Sequence, residues 1–168
     1  MPAYRRQTHT YTLDQLRPEL TRAIREHLEA KHLPVDITAC CETITDKVGS
    51  AWYDFLLGDE AESLTYMALV LTPQRLIWAR SSERITPIAA SAPFKDLFVK
   101  VIRPRGTEDF GLQVNLRMEN SHFTVGGRLM MGPEPAAEKF CVALGEAMGV
   151  NLMAPPPKPW WDNLWGRR

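Results

Sequence analysis

Leu64-Thr65-Tyr66-Met67-Ala68-Leu69-Val70-Leu71-Thr72-Pro73-Gln74-Arg75-Leu76-Ile77-Trp78-Ala79-Arg80-Ser81 is the stretch that decides the fold. Two runs rich in aliphatic and aromatic residues flank Thr72-Pro73-Gln74, a tripeptide suited to a tight turn, which predicts a hairpin with strands over 64–72 and 75–81. Side chains alternate across a strand, so Leu69 and Leu71 share one face with Leu76 and Trp78 of the second run.

The same pattern extends on both sides of this hairpin. Strands are predicted over 37–47, 86–90, 98–103, 111–118 and 122–129, with a further short one between 51 and 57. Ser81-Ser82-Glu83, Pro104-Arg105-Gly106 and Glu119-Asn120-Ser121 supply the turns between them. Period-two alternation adds Val99, Val101, Leu112 and Val114 to the inward face.

Helical spacing brackets the strands. Leu13, Leu16, Leu20, Ile24 and Leu28 form one stripe of a helix expected over 13–33, with Thr12 and Gln15 as a capping box and Pro34 as the stop. Pro18 sets either its first turn or a kink. Arg22, Arg25, Glu26, Glu29 and Lys31 give that helix a solvated face. After Gly132-Pro133-Glu134-Pro135, a second helix carries Ala137, Phe140, Cys141, Leu144 and Met148 on one side, with Gly149 as its C-cap. The predicted class is therefore α+β, mostly antiparallel β. Seven or eight strands must curl to bury their inner face, a C-terminal helix can plug the open end, and an extra helix precedes them. The organisation is an N-terminal amphipathic helix over 12–33, a strand-rich body with its capping helix over 36–150, and a tail over 151–168.

Composition narrows the function. The chain has 168 residues, 45% of them apolar, enough for one domain with a sizeable core. Twenty basic residues balance twenty acidic ones, so no net field gathers nucleic acid. The N-terminus lacks the apolar core of a secretory signal, and no run approaches the roughly 20 apolar residues of a bilayer span. Three cysteines, Cys40, Cys41 and Cys141, make no even disulfide framework and no zinc spacing, which fits a reducing, cytoplasmic interior. Cys40 and Cys41 are neighbours on a strand, so one should enter the core and the other face solvent or a neighbour.

Leu57-Gly58-Asp59-Glu60, followed by the run from Ala68 to Ala79 with Leu71-Thr72-Pro73-Gln74-Arg75-Leu76-Ile77, resembles the opening hairpin of bacterial pleckstrin-homology and GRAM-like domains. Ala92-Pro93-Phe94-Lys95-Asp96-Leu97 is similar to the element before their next strand, and the helix over 136–148 to their closing cap. The resemblance covers residues 57–150 and implies a curled barrel that binds lipid head groups, peptides or proteins. Members that bind phosphoinositides use closely spaced lysines and arginines on the first hairpin. Here the corresponding connection offers Lys47 and then Asp54, Asp59, Glu60 and Glu62, a sign that repels polyphosphate. Phosphoinositide recognition is accordingly not expected.

Catalytic chemistry has little to build on. His27 and His32 are five apart on the first helix, the wrong offset for a shared face, and Glu29 with His32 would need ligands from elsewhere. No nucleophile elbow, phosphate-cradling glycine loop or dinucleotide fingerprint occurs, and Gly126-Gly127 reads as a strand bend or bulge. The expectation is a protein that is not an enzyme, with no cofactor and no metal. Trp52, Tyr53 and Phe55 read as core packing or cover for a barrel edge, and Arg103 and Arg105 as ordinary loop charges.

The tail is the unusual part. Ala154-Pro155-Pro156-Pro157-Lys158-Pro159 favours an extended polyproline spacer, and three of the five tryptophans fall in the last nine residues. Trp161, Leu164 and Trp165 can share a face of one helical turn, beside Trp160 and ahead of Arg167 and Arg168. These six residues are the expected binding determinants, since tryptophan is costly to leave in water. A protein partner or self-association ranks first, a membrane interface second, and nucleic acid is not expected.

Overall fold

The computed structural model describes residues 4–47, 64–103, 110–117 and 124–154. The strand expected between 51 and 57, the acidic connection and the tryptophan-rich tail lie outside them.

Among the described residues, eight antiparallel strands form two sheets. Sheet A takes β1 (Tyr4–Thr10), β2 (Ala39–Lys47), β3 (Leu64–Leu71), β4 (Arg75–Ser82) and β5 (Ile88–Pro93) in sequence order. Sheet B takes β6 (Leu97–Ile102), β7 (Phe110–Arg117) and β8 (Thr124–Met131), also in order. Among the described residues two α-helices accompany the sheets: α1 (Pro18–Ala30) between β1 and β2, and α2 (Pro135–Met148) after β8. This is the predicted α+β class with mostly antiparallel strands and a C-terminal helix.

The central hairpin forms as read. β3 and β4 pair with Leu71 opposite Leu76 and Leu69 opposite Trp78. The turn is held by Thr72, whose hydroxyl accepts from the Arg75 amide at 3.1 Å while its own amide donates to the Arg75 carbonyl at 3.0 Å. All eight residues expected inward meet in one core. Leu69, Leu71, Leu76, Leu112 and Val114 are buried there, and Trp78, Val99 and Val101 are packed against them. From α2, Ala137, Phe140, Cys141 and Leu144 join that core. The helix ends as expected: Gly149 has φ 69°, a left-handed conformation that glycine adopts without a Cβ clash.

A second core lies on the other face of sheet A. Cys40, Ala68, Val70, Ile77 and Ala79 point there and are covered by Leu16, Leu20, Ile24 and Leu28. Sheet A is therefore the middle of three layers, with α1 outside it and sheet B with α2 inside. Cys40 and Cys41 face opposite ways as read, Cys41 into the first core and Cys40 against a neighbour, α1, so both are buried.

The expected helix over 13–33 is shorter and broken. A 3-10 turn at Leu13–Gln15, closed by the Thr12 amide donating to Gln15 Oε1 at 2.9 Å, gives way to extended backbone at Leu16. α1 then starts at Pro18, whose missing N–H costs nothing at a first helical position. The segment before it was not anticipated as a strand. β1 pairs with β2 along its whole length, from Tyr4 opposite Lys47 to Thr10 opposite Cys41.

The sheets do not close into a barrel: among the described residues no strand of one sheet pairs with a strand of the other. At one corner, the chain passes from β5 to β6 through a 3-10 turn at Phe94–Asp96. At the opposite corner, side chains take the place of a ladder. The Gly132 amide donates to Thr8 Oγ1 at 2.8 Å, the Thr8 amide donates to Glu134 Oε2 at 2.8 Å, and Thr8 Oγ1 lies 2.9 Å from Thr43 Oγ1. Gly132 permits this approach, since a Cβ there would sit 2.8 Å from the Arg6 carbonyl oxygen.

Candidate recognition surface

Sheet B has two unlike faces. Leu97, Val99, Val101, Leu112 and Val114 point into the core, so the alternate residues Phe98, Lys100, Ile102, Gln113, Asn115, Arg117, Arg128 and Met130 point outward. Phe98 is 55% exposed, a high value for a phenyl ring, and Lys100, Arg117 and Arg128 are exposed around it. Cross-strand register sets the layout. Phe98 stands opposite Asn115, Lys100 opposite Gln113, and Gln113 opposite Arg128. Arg128 Nε donates to Gln113 Oε1 at 3.4 Å from β8 to β7, and Gln113 Nε2 donates to Asn115 Oδ1 at 3.4 Å along β7. No carboxylate occurs on β6, β7 or β8, so this face is locally basic although the chain is neutral.

The sequence reading places the binding determinants in the tail and does not include this surface. The signal was present in Phe98-Val99-Lys100-Val101: fixing Val99 and Val101 inward sends Phe98 and Lys100 out. The expected binding residues Trp160, Trp161, Leu164, Trp165, Arg167 and Arg168 lie outside the described residues, as do Trp52, Tyr53, Phe55 and Arg105. Arg103 is no idle loop charge. Its Nη2 donates to the Met153 carbonyl at 2.6 Å and so ties the root of the tail to the end of β6.

The buried polar groups serve the architecture. Glu42 on β2 is buried; its Oε2 accepts from the Arg17 backbone amide at 3.0 Å and thereby holds the residue that leads into α1. Its Oε1 lies 3.2 Å from Arg17 Nε, and the guanidinium sits 3.5 Å from the centre of the Tyr66 ring, a cation–π arrangement. His27 Nε2 lies 2.9 Å from Ser91 Oγ on β5, and its pKa is lowered by desolvation and by the charges of Lys31 and Arg75. Just past α1, His32 has φ 52° and its amide donates to the Glu29 carbonyl at 3.0 Å, while both residues are exposed. Burial pushes the Cys40 and Cys141 thiols up to about 12 and raises Cys41 as well, which suppresses the thiolate a nucleophile requires.

A shallow depression of about 430 Å³ runs along α1 between Asp14, Leu16, Arg22, Arg25, Glu26 and Glu29. Its charges are mixed and Arg25 pairs with Asp14, in keeping with the solvated face expected for this helix. Among the described residues no group of three His, Cys, Asp or Glu side chains is placed to hold a metal ion. No helix among them is long and apolar enough to cross a membrane. No family model, curated protein or solved structure matches the chain.

Proposed function

We propose that this protein is a binding or adaptor module without catalytic activity, built on a pleckstrin-homology-like layout and working by protein–protein recognition in a reducing, cytoplasmic setting. Two antiparallel sheets packed face to face, followed by a helix on the shared core, support that layout. β1 and α1 are additions to it. The observation that carries the reading is the outer face of sheet B, where an exposed Phe98 stands among Lys100, Arg117 and Arg128 with amide groups between. An aromatic anchor rimmed by polar and basic groups is the composition of recognition surfaces. The tryptophan-rich tail supplies a second apolar determinant. Cofactors and phosphoinositides play no part in this reading.

Affinity capture with the full chain tests it against three variants: Phe98→Ser, Lys100→Glu/Arg128→Glu, and Trp160→Ser/Trp161→Ser/Trp165→Ser. A defined protein should be retained by the wild type and lost on substitution of the face or the tail. Identical captured proteins in all four samples would overturn the reading. The second reading, a peripheral membrane protein, draws on the tail alone, where tryptophans suit the head-group region and Arg167 and Arg168 suit anionic lipid. It requires sedimentation with neutral and anionic liposomes that disappears in the tryptophan variant.

A further inference from the structure

We propose that the outer face of sheet B takes an acidic, extended segment of a partner protein, laid across the strands in a trough floored by Asn115 and Gly126, with an apolar side chain of that segment against Phe98. The proposal rests on reading this face as the recognition surface and adds the chemistry of the partner.

The trough follows from register. Phe98, Asn115 and Gly126 stand side by side on β6, β7 and β8. That row runs from an exposed phenyl ring, through a half-buried amide, to a residue with no side chain. Gly126 and Gly127 pair in unbroken register with Asn115 and Val114, so the glycine pair is not a bulge. Its effect on the outer face is to leave the surface low at position 126. Taller side chains flank the row: Lys100, Gln113 and Arg128 line one side, and Arg117 stands on the other. Four steps along β7 from Gln113 to Arg117 come to about 13 Å, which admits one extended chain between them. From β6 to β8 is two strand spacings, about 10 Å, or about three residues of that chain. An apolar side chain at Phe98 and a carboxylate at Arg128 or Arg117 are therefore about three positions apart in the partner.

Charge selects the occupant. β6, β7 and β8 carry Lys100, Arg117 and Arg128 and no carboxylate. A second copy presenting the same face would set like charges together, which an interface disfavours. The amides between the cations favour a polypeptide over an anionic lipid surface. Gln113 accepts from Arg128 and donates to Asn115, so these side chains use both of their hydrogen-bonding functions. A peptide backbone offers N–H and C=O groups to match both, whereas a phosphate group only accepts. Exposed cations contribute little energy each, so contact with Phe98 supplies affinity while the three charges choose the partner and speed its approach.

Selection of short random peptides on the immobilised full chain tests this chemistry. Enriched sequences should be acidic, with an apolar residue about three positions from a carboxylate. Synthetic copies followed by fluorescence anisotropy should bind more weakly as salt is raised. Lys100→Glu/Arg128→Glu should weaken that binding by about tenfold or more. Gly126→Thr suits a strand but fills the trough, and should weaken it similarly. Arg22→Glu, an exposed charge reversal on α1 beyond sheet A, should leave it unchanged. Circular dichroism matching the wild type shows that each variant is folded. Enriched peptides that are neutral or basic, no enriched peptide at all, or acidic peptides that bind the charge-reversed or Gly126→Thr variant as well as the wild type would overturn the proposal. Neutral peptides still lost in Phe98→Ser would leave the face a recognition surface and remove only the acidic partner. Sedimentation with anionic liposomes, abolished by Lys100→Glu/Arg128→Glu, would assign the face to lipid and overturn it as well.

Discussion

Replacing Thr8 with valine tests how the two sheets are joined. Thr8 and Thr43 are each 1% exposed, so neither hydroxyl has water to fall back on. In the wild type, Thr8 Oγ1 accepts from the Gly132 amide at 2.8 Å and shares a hydrogen bond with Thr43 Oγ1 at 2.9 Å. Valine keeps the volume and the β-branched shape but removes the oxygen. Two buried polar groups, the Gly132 amide and the Thr43 hydroxyl, are then left without this partner. Each orphaned group costs about 1–3 kcal/mol, so Thr8→Val should destabilise the protein by about 3 kcal/mol. For a chain of this length that corresponds to a fall of about 6–12 °C in Tm. Urea unfolding followed by circular dichroism measures the loss. The double variant Thr8→Val/Thr43→Val removes one of the two orphans along with its partner. It should therefore be no less stable than Thr8→Val alone, with a coupling of about 1–2 kcal/mol. A loss below about 0.5 kcal/mol for Thr8→Val would refute the view that this side-chain clasp joins the sheets where no strand ladder does.

Two further outcomes follow from the interior. Glu42→Ala should cost about 2 kcal/mol in urea unfolding, chiefly through the Arg17 amide it leaves unpaired, because the Arg17 side chain is partly exposed and its ion pair contributes less. Glu42→Gln keeps an acceptor oxygen and should cost under about 1 kcal/mol, so equal losses in the two variants would contradict the capping role. The raised thiol pKa values predict instability in alkali. Below about pH 8.5 the thiols are protonated in both states and the contribution is intact; above it the unfolded chain sheds protons that the folded chain keeps until about pH 12, so stability falls as pH rises. Urea midpoints at pH 7, 9 and 10 should decline more steeply in the wild type than in Cys40→Ala/Cys41→Ala/Cys141→Ala, and parallel slopes would count against it.

Much of this was legible in the sequence, and the reason is periodicity. Once the Leu69/Leu71 and Leu76/Trp78 pairs fix a hairpin, the period of two carries the inward face to Val99, Val101, Leu112 and Val114 with no knowledge of neighbours. The closing helix and its Gly149 cap were legible likewise, because a 3.6-residue stripe and a left-handed stop are local properties. What sits on the second face of a strand is not local. β1 reads Tyr-Arg-Arg-Gln-Thr-His-Thr, with no apolar alternation, and becomes a strand because the edge of β2 offers it a ladder. Alternation sends Cys40 and Cys41 to opposite faces without saying what covers each, and Cys40 is buried because α1 folds across sheet A. Glu42 is likewise a buried carboxylate only where Arg17 arrives to meet it. The tertiary structure also decided that the sheets meet through Thr8, Gly132 and Glu134 and, among the described residues, not through a closed ladder. Those contacts join residues more than a hundred positions apart, a distance over which no pattern in the chain carries a signal.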